Sequence, residues 1–287
     1  MSAIELSVDS TGLALVAIET SARCVQPFIP KLPMELAAAV RTLADDSTIK
    51  SVVVRLSGDA SVQEPSHSLQ VEHGVTALVA RDMARAWQRT LRQLETCGRP
   101  VAAILSGSIS DAYLDVALAC HYRVAIDDPR TCLRYPEVTQ GLLPSGGGTQ
   151  RLPRLIGVQR ALPLLLNGDA IAAAEARRLG IVDAVVASDS AITAAREWSR
   201  SNLVITQPWD RKGFCIPGGA GPLASFASET FMIGAARLRR QLPELQSASL
   251  AILSCVYEGT ICAFDAGLAI ESNYFGKVAS ESLATAR

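Results

Sequence analysis

Apolar residues along the first third of the chain follow the spacing of strands and of helices in turn. Short apolar runs at residues 3–8 and 13–19 flank a serine-threonine-glycine turn, which is typical of a β-hairpin. Apolar residues then recur every three or four positions in residues 34–46 and from Val75 to Leu94, and this spacing predicts two amphipathic helices. Between them, the β-branched run from Lys50 to Leu56 predicts a buried strand.

The middle of the chain alternates between the two patterns more closely. Strands are predicted where β-branched and other apolar residues run together, and helices where alanine and leucine recur. The predicted strands are 100–106, 121–127 and 181–186, and the predicted helices are Ala112 to Cys120, 158–168 and 171–180. Their order is a loose strand-strand-helix recurrence, which predicts an α/β fold with layered sheets.

The last third of the chain is predicted to be mainly helical. A connector rich in proline and glycine spans residues 208–222. Helical spacing follows at 231–242, 248–260 and 264–284. We therefore predict a core domain over residues 1–200 and a helical C-terminal region over residues 201–287.

Composition argues against several classes of function. The formal net charge is −1, so the chain lacks the excess of positive charge that bulk binding of nucleic acid requires. No apolar run approaches the roughly 18 residues that span a membrane. The N-terminus also lacks the basic-then-apolar order of a signal peptide. We therefore predict a cytoplasmic protein that has neither nucleic acid nor a membrane as a partner.

The cysteines and histidines follow no ligand pattern. The seven cysteines are spread singly without a C-x-x-C pair, and their odd number does not indicate a disulfide framework. The three histidines, His67, His73 and His121, show no metal-ligand spacing. We therefore predict that the protein binds no metal.

The stretch from residue 132 to residue 157 carries the strongest signal for chemistry. Glu137 lies among apolar residues, ahead of a glycine- and proline-broken turn from Gly141 to Gly148 that begins a helix. Many enzymes aim an acid/base group and backbone amides at one spot in this way, but a structural loop with an ion-paired glutamate has the same pattern. Nearby arginines fit either phosphate binding or a solvated helix face, and they are Arg151, Arg154 and Arg160.

Four consecutive segments between residues 99 and 186 carry a resemblance to a known family. They are RPVAAILSG, ALACHYRVA, YPEVTQGLLPSGGGTQRLPRLIG and ALPLLLNGDAIAAAEARRLGIVDAVV. In this order they resemble the crotonase (enoyl-CoA hydratase/isomerase) superfamily. The resemblance implies a crotonase-like spiral of strand-strand-helix repeats, an acyl-CoA thioester as ligand, and a homotrimer or hexamer. Coenzyme A would enter as part of the substrate, so no separate cofactor is expected.

A second resemblance covers the C-terminal region. The segments PWDRKGFCIPGG, AILSCVYEG and FDAGLAIESNYFGK resemble the part that follows the hydratase region in multifunctional fatty-acid oxidation α-subunits. In that family a dinucleotide-binding dehydrogenase domain comes next, and here no G-x-G-x-x-G follows a strand. We therefore expect a hydratase-type unit without its dehydrogenase, which is either a chain with a separate dehydrogenase partner or a fragment of a longer multifunctional protein.

The family resemblance assigns roles to five residues. In hydratases two N–H groups polarise the thioester carbonyl, and two carboxylates share one water. Glu137 matches the second carboxylate, and Asp115 matches the first, where hydratases usually carry Glu. Ala112 matches one N–H donor and His67 aligns with the other, while Gly141 is grouped with them as substrate-binding. Without the resemblance, Asp115 is equally an early-helix carboxylate that the helix dipole stabilises.

Several positions depart from the hydratase pattern. Hydratases usually carry three glycines ahead of the first carboxylate, and here these positions are Asp111, Ala112 and Tyr113. Asp111 and Tyr113 add charge and bulk where the backbone must approach a ligand closely. Asp115 also withdraws its carboxylate by one bond, and a misplacement of about 1 Å can lower a rate roughly a hundredfold. We therefore expect weakened or shifted catalysis.

Three functions remain open at this point. The first is hydration of 2-enoyl-CoA to 3-hydroxyacyl-CoA in fatty-acid metabolism, with Glu137 and Asp115 as the acid/base pair. The second is an enoyl- or dienoyl-CoA isomerase. Dienoyl-CoA isomerases carry Asp and Glu at these two positions, with a further Asp where this chain has Ser145. The third is an acyl-CoA-binding or subunit protein with a degenerate catalytic loop, which the loss of both glycine-rich signatures favours.

Overall fold

The internal contacts of the chain divide it into two compact units. The computed structural model describes residues 4–20, 31–58, 76–201, 205–240 and 243–285. The first unit consists of Met1–Glu64, Arg89–Arg134 and Ala170–Gln207, and the second of Pro65–Gln88, Tyr135–Asp169 and Pro208–Arg287. Each unit gathers segments that are far apart in sequence, and a domain boundary between residues 200 and 201 stays a prediction.

Two sheets form the framework of the first unit. The described residues contain nine strands, which are β1 (Ile4–Val8), β2 (Leu13–Thr20), β3 (Ser51–Gly58), β4 (Val101–Ser106), β5 (Ser108–Ser110), β6 (Tyr122–Ile126), β7 (Cys132–Arg134), β8 (Ile171–Ala172) and β9 (Ala184–Val186). The larger sheet has the order β1-β2-β3-β4-β6-β9; β1 and β2 are antiparallel, and the other neighbours are parallel. The smaller sheet has the order β5-β7-β8.

Helices connect and cover these strands. The α-helices of the described residues are α1 (Lys31–Asp45), α2 (Ala77–Glu95), α3 (Asp111–Ala119), α4 (Gly148–Ile156), α5 (Val158–Asn167), α6 (Ala173–Leu179), α7 (Ala191–Ser201), α8 (Gly234–Leu238), α9 (Pro243–Thr260) and α10 (Phe264–Thr285). Short 3₁₀ turns occur at Pro136–Gln140, Ser188–Ser190 and Pro208–Asp210, and a π-helical turn at Ser228–Ile233. None of the helices described is long and apolar enough to cross a membrane.

The core of the first unit lies between the larger sheet and α7. The β-branched residues that predicted strands are buried there, because a parallel sheet is covered on its faces. The cluster consists of Leu13, Val53, Ala102, Ile104, Val124, Ile126, Ala191 and Ala195. At its margin the rings of Tyr122 and Trp198 stack with their centroids 4.8 Å apart. Small alanines on α7 let the helix approach the sheet closely.

The strand-strand-helix recurrence predicted from the sequence is confirmed. β4, β5 and α3 follow one another directly, and β6 and β7 are followed by the 3₁₀ turn at Pro136–Gln140 and then α4. Glycines allow the tight change of direction between β4 and β5. Gly107 has a φ of 70°, and a Cβ there would lie 2.1 Å from the carbonyl oxygen of Gly58. The fold is therefore the predicted α/β arrangement of strand-strand-helix units.

In the second unit, α4 packs closely against α9 and α10. The side chain of Gln150 on α4 fills a space that two glycines leave open. A Cβ at Gly259 would lie 2.1 Å from Gln150 Oε1, and a Cβ at Gly267 would lie 2.4 Å from the same atom. Gln150 Nε2 donates a hydrogen bond of 3.0 Å to the Cys255 carbonyl. The glycines of the C-terminal region thus fix where α4 lies within this unit.

Two predicted helices differ from the structure in their detail. Residues 171–180 begin with the two-residue strand β8, because Ile171 pairs with Leu133 at the edge of the smaller sheet. Residues 231–242 were predicted as one helix, whereas the structure has the end of a π-helical turn followed by α8. Gly234 marks the change, and glycine is a weak helix former.

Candidate active site

The first residue of α3 has an unusual backbone conformation. Asp111 has a φ of 54°, and within the described ranges no other residue except glycine has a positive φ. Left-handed backbone is sparsely populated by residues with a side chain, although Asp and Asn tolerate it better than most. Ser110 Oγ donates a hydrogen bond of 3.1 Å to Asp111 Oδ2. The chain therefore keeps a backbone geometry that glycine favours at a position where hydratases usually carry glycine.

Asp111→Val is expected to lower the free energy of unfolding by about 1–3 kcal/mol, because a β-branched residue is strained in left-handed backbone. Asp111→Asn is expected to change this free energy by less than about 1 kcal/mol, because Asn tolerates the same φ and has nearly the same shape. Urea unfolding of both variants measures the difference. Equal unfolding free energies would show that the backbone at residue 111 does not constrain the side chain.

The structure places Ala112 and Asp115 together on α3, a helix whose nine residues are all buried. The N–H of Ala112 lies in the first turn, where helix amides have no intrahelical acceptor. In the part of the chain that the structure describes, no hydrogen bond from this amide is present. Asp115 is 1% exposed, and it lies four residues after Asp111 and therefore on the same helix face. This half of the predicted site combines a backbone donor with a buried carboxylate.

Glu137 lies on the 3₁₀ turn Pro136–Gln140, whose ends are fixed by local residues. Proline at its first position has the φ that the turn requires, and Gly141 ends the turn with a φ of 71°. The Gly141 amide donates to the Val138 carbonyl at 3.1 Å, and the Leu142 amide to the Glu137 carbonyl at 2.9 Å. Glu137 itself is 6% exposed. The glutamate therefore stands directly before a tight turn, as its sequence context predicts, and Gly141 shapes that turn.

The backbone amides of the glycine-rich turn that precedes α4 bind a carboxylate from α10. Glu271 of α10 is fully buried, and its Oε1 accepts hydrogen bonds from the amide of Gly147 at 2.6 Å and from Gln88 Nε2 at 3.1 Å. Its Oε2 accepts bonds from the amide of Thr149 at 3.0 Å and from Thr149 Oγ1 at 2.6 Å. Two amides that could have cradled a phosphate are therefore occupied by Glu271. Sequence reasoning missed this residue, whose only local signal is a glutamate inside an apolar helical stretch.

The arginines near this turn are buried rather than solvated. Arg151 is 0% exposed and Arg154 is 4% exposed, so a solvated helix face is wrong for these two residues. Arg151 Nη1 donates to the carbonyl of Gly146. Both guanidinium groups lie over the ring of Phe264, with Cζ 5.4 and 5.2 Å from its centroid. Arg160, on α5, is exposed.

The remaining predicted site residues fall into separate groups. Ala112 and Asp115 belong to the first unit, whereas Glu137 and Gly141 belong to the second. His67, the predicted second N–H donor, lies outside the described residues. Within the described ranges, no group of three His, Cys, Asp or Glu residues could hold a metal ion, and the six cysteines there are free thiols. His121 Nδ1 accepts a hydrogen bond from the Val101 amide, which is a structural role.

Sequence comparison relates most of the chain to one family. A sequence model described as enoyl-CoA hydratase/isomerase matches residues 14–206. A curated relative, the fatty acid oxidation complex subunit alpha of Shewanella amazonensis, is 32% identical over 277 residues. That match covers 94% of this chain and 38% of the relative, so the chain spans well under half of the length of that protein.

Solved structures with low sequence identity have the same fold. An enoyl-CoA hydratase of Geobacillus kaustophilus superposes with a TM-score of 0.59 at 21% identity, over 96% of this chain and 87% of the other. An enoyl-CoA hydratase of Bacillus anthracis superposes with a TM-score of 0.57 at 20% identity, over 97% and 92% of the two chains. Together with the family match, these similarities establish that the chain belongs to the enoyl-CoA hydratase/isomerase family of the crotonase superfamily.

Proposed function

We propose that the protein adds water to the double bond of a 2-enoyl-CoA thioester and forms a 3-hydroxyacyl-CoA. The observation that carries this proposal is the buried Glu137 on a turn fixed by Pro136 and Gly141. A carboxylate that is buried and held in place can exchange a proton with a bound substrate. Membership of the enoyl-CoA hydratase/isomerase family supports a coenzyme A thioester as the substrate.

Asp115 and Glu137 are the proposed acid/base pair. One carboxylate accepts a proton from the attacking water, whose oxygen bonds to C3 of the enoyl group. The other delivers a proton to C2, so the product gains the elements of one water molecule. After the product leaves, the carboxylate that accepted the proton of the water passes a proton to the other carboxylate, so each ends the cycle in its starting state. General acid/base catalysis of this type contributes about 10²–10⁴ in rate.

The Ala112 amide is the proposed donor to the thioester oxygen. It is in the first turn of α3, where the helix N-terminus adds positive potential, and it has no acceptor among the described residues. An oxyanion donor in this position stabilises the enolate, typically by about 3 kcal/mol. His67 is proposed to supply the second N–H.

A hydration assay with 2-enoyl-CoA substrates of short, medium and long chain tests the proposal. Loss of the conjugated thioester, together with formation of 3-hydroxyacyl-CoA, is expected for at least one chain length. An identically purified sample from cells without the expression plasmid sets the background. Tight binding of the CoA esters without any turnover would overturn the hydratase and favour the acyl-CoA-binding alternative.

An isomerase is the second candidate, and the aspartate at position 115 favours it. Dienoyl-CoA isomerases resemble this chain in carrying Asp and Glu at the positions of Asp115 and Glu137. Those isomerases carry a further Asp at the position of Ser145, and its absence here argues against an isomerase. Ser145 is buried, with 4% of its surface exposed. Running 3-enoyl and dienoyl substrates beside the 2-enoyl series separates the two reactions, because only the isomerase moves a double bond without gaining water.

We also propose a cellular setting for this reaction. The protein would act in fatty-acid oxidation in the cytoplasm, as a homotrimer or hexamer, and would pass its 3-hydroxyacyl product to a separate dehydrogenase. The similarity to a fatty acid oxidation complex subunit alpha supports this role. No resident cofactor is proposed, because coenzyme A is part of the substrate. Light scattering of the purified protein measures its oligomeric state.

A further inference from the structure

A cavity of about 470 Å³ lies within the second unit, beside the connector that precedes the C-terminal helices. Its walls include the connector residues after Pro208–Asp210 and the first residue of α10. Two cations, Arg154 and Arg211, line it, and no carboxylate belongs to its described lining. Aromatic rings supply much of the remaining wall, from Trp209, Phe214 and Phe264. The cavity therefore combines positive charge with an apolar surface.

Arg154 is a buried cation in the wall of this cavity, and its hydrogen-bond partners are all neutral. Its Nη1 donates to the carbonyl oxygen and the Oε1 of Gln150, and its Nη2 to the carbonyl oxygens of Gly259 and Cys262. Among the residues that the structure describes, no carboxylate forms an ion pair with it. Burial lowers the pKa of the Arg154 guanidinium to about 10, so the group stays charged at neutral pH. Its fifth donor, Nε, has no acceptor within the described ranges.

Trp209 adds an aromatic ring to the wall of the same cavity. The residue is 8% exposed, and its ring stacks on Phe264 with centroids 4.9 Å apart. Its Nε1 is buried and meets no acceptor in the described part of the chain. Because this nitrogen is buried, Trp209 contributes its ring and not a donor to the cavity.

We propose that this cavity is a binding site for a small molecule with anionic oxygens, either a phosphate or a carboxylate group, on an apolar or aromatic body. Arg154 and Arg211 supply positive charge to the anionic group. Phe214 and Phe264 contact the apolar body. A cavity of about 300–1,000 Å³ with a few polar groups on apolar walls is typical of small-molecule sites. Neither of the proposed acid/base residues belongs to the described lining, and the proposed site does not depend on the hydratase reaction.

Inorganic phosphate and benzoate are suitable probes for the two anionic groups. Each is titrated into the full chain at constant ionic strength, with sodium chloride replaced by the probe. Tryptophan fluorescence and the midpoint of thermal unfolding are recorded. A saturable change with at least one probe is expected. Saturation by phosphate assigns a phosphate-bearing ligand, and saturation by benzoate assigns a carboxylate-bearing one.

Arg211→Gln is expected to weaken binding of the effective probe about tenfold, because it removes a charge-assisted contact. Arg154 is not substituted in this test, because its side chain also donates hydrogen bonds to the carbonyls of Gly259 and Cys262. Arg160→Gln is the matched control, because Arg160 is exposed and does not line the cavity.

Two outcomes would overturn the site. One is the absence of a saturable response to both probes. The other is a response to the probe that Arg211→Gln weakens no more than Arg160→Gln does. That result would place anion binding elsewhere on the protein. Loss of hydratase activity is not a readout here, so failure of this site and failure of the proposed reaction are distinguishable.

Discussion

Glu137→Gln is expected to lower the rate of 2-enoyl-CoA hydration by at least about a hundredfold, within the range of general acid/base catalysis. The amide has nearly the shape of the carboxylate but cannot accept and return a proton. The 3₁₀ turn is held by backbone hydrogen bonds and by Gly141, so the variant should keep its fold. The measurement is kcat on the best chain length, with the unfolding midpoint recorded beside it.

Glu175→Gln is the matched control for this variant. Glu175 is half-buried and forms a surface ion pair with the exposed Arg178, and such pairs contribute little to stability. The Glu175→Gln variant should hydrate the substrate at the same rate as the unmodified protein. Asp115→Asn and the double variant extend the test, because two groups that act in one step have effects that do not multiply. If Glu137→Gln keeps more than half of the original kcat with an unchanged fold, Glu137 is not the acid/base residue.

Glu271→Gln is expected to lower the free energy of unfolding by about 2–4 kcal/mol, because hydrogen bonds to a buried charge are each worth about 1.5–3 kcal/mol. The hydrogen bonds that the carboxylate accepts include four, from the amides of Gly147 and Thr149, from Thr149 Oγ1 and from Gln88 Nε2. Glutamine replaces one accepting oxygen with an NH₂ group, which faces donors instead of accepting from them. Urea unfolding followed by tryptophan fluorescence measures the change.

Glu281→Gln provides the control on the same helix. Glu281 is exposed, with Ser247 Oγ at 2.6 Å and Lys277 Nζ at 3.9 Å. Its replacement is expected to change the unfolding free energy by less than about 0.5 kcal/mol, as for most surface substitutions. If the two variants were equally stable, the carboxylate of Glu271 would contribute no more than a surface group. Glu271→Ala, which leaves all four donors without their acceptor, should be the least stable of the three.

Local sequence signals were enough to predict most of the framework. The β-branched run before Leu56 predicted β3, and the apolar spacing from Val75 to Leu94 predicted α2, because each signal repeats within a few residues. The setting of Glu137 was predictable for the same reason. Proline before it and Gly141 after it determine the turn without help from distant residues.

Contacts between distant residues could not be predicted in this way. Arg151 and Arg154 have the composition of a solvated helix face, and their burial depends on helices more than a hundred residues later in the chain, such as the end of α9 at Gly259. Asp111 shows that the backbone conformation of a residue is also hard to predict from its side chain. Its side chain suggested a lost glycine signature, whereas its φ of 54° keeps the backbone that glycine would adopt. A sequence pattern reports side chains and says little about φ.

The bond between Glu271 and the glycine turn has a consequence for how the protein is made. The amide of Gly147 is 124 residues earlier in the chain than the carboxylate that it binds. At about 5–20 residues per second, the ribosome needs about 6–25 s to add that length. During this interval the nascent turn lacks the acceptor for its amides, and α4 lacks the helices that bury its arginines. The second unit can therefore reach its final packing only when α10 has left the exit tunnel, which makes this unit the late step of biosynthetic folding.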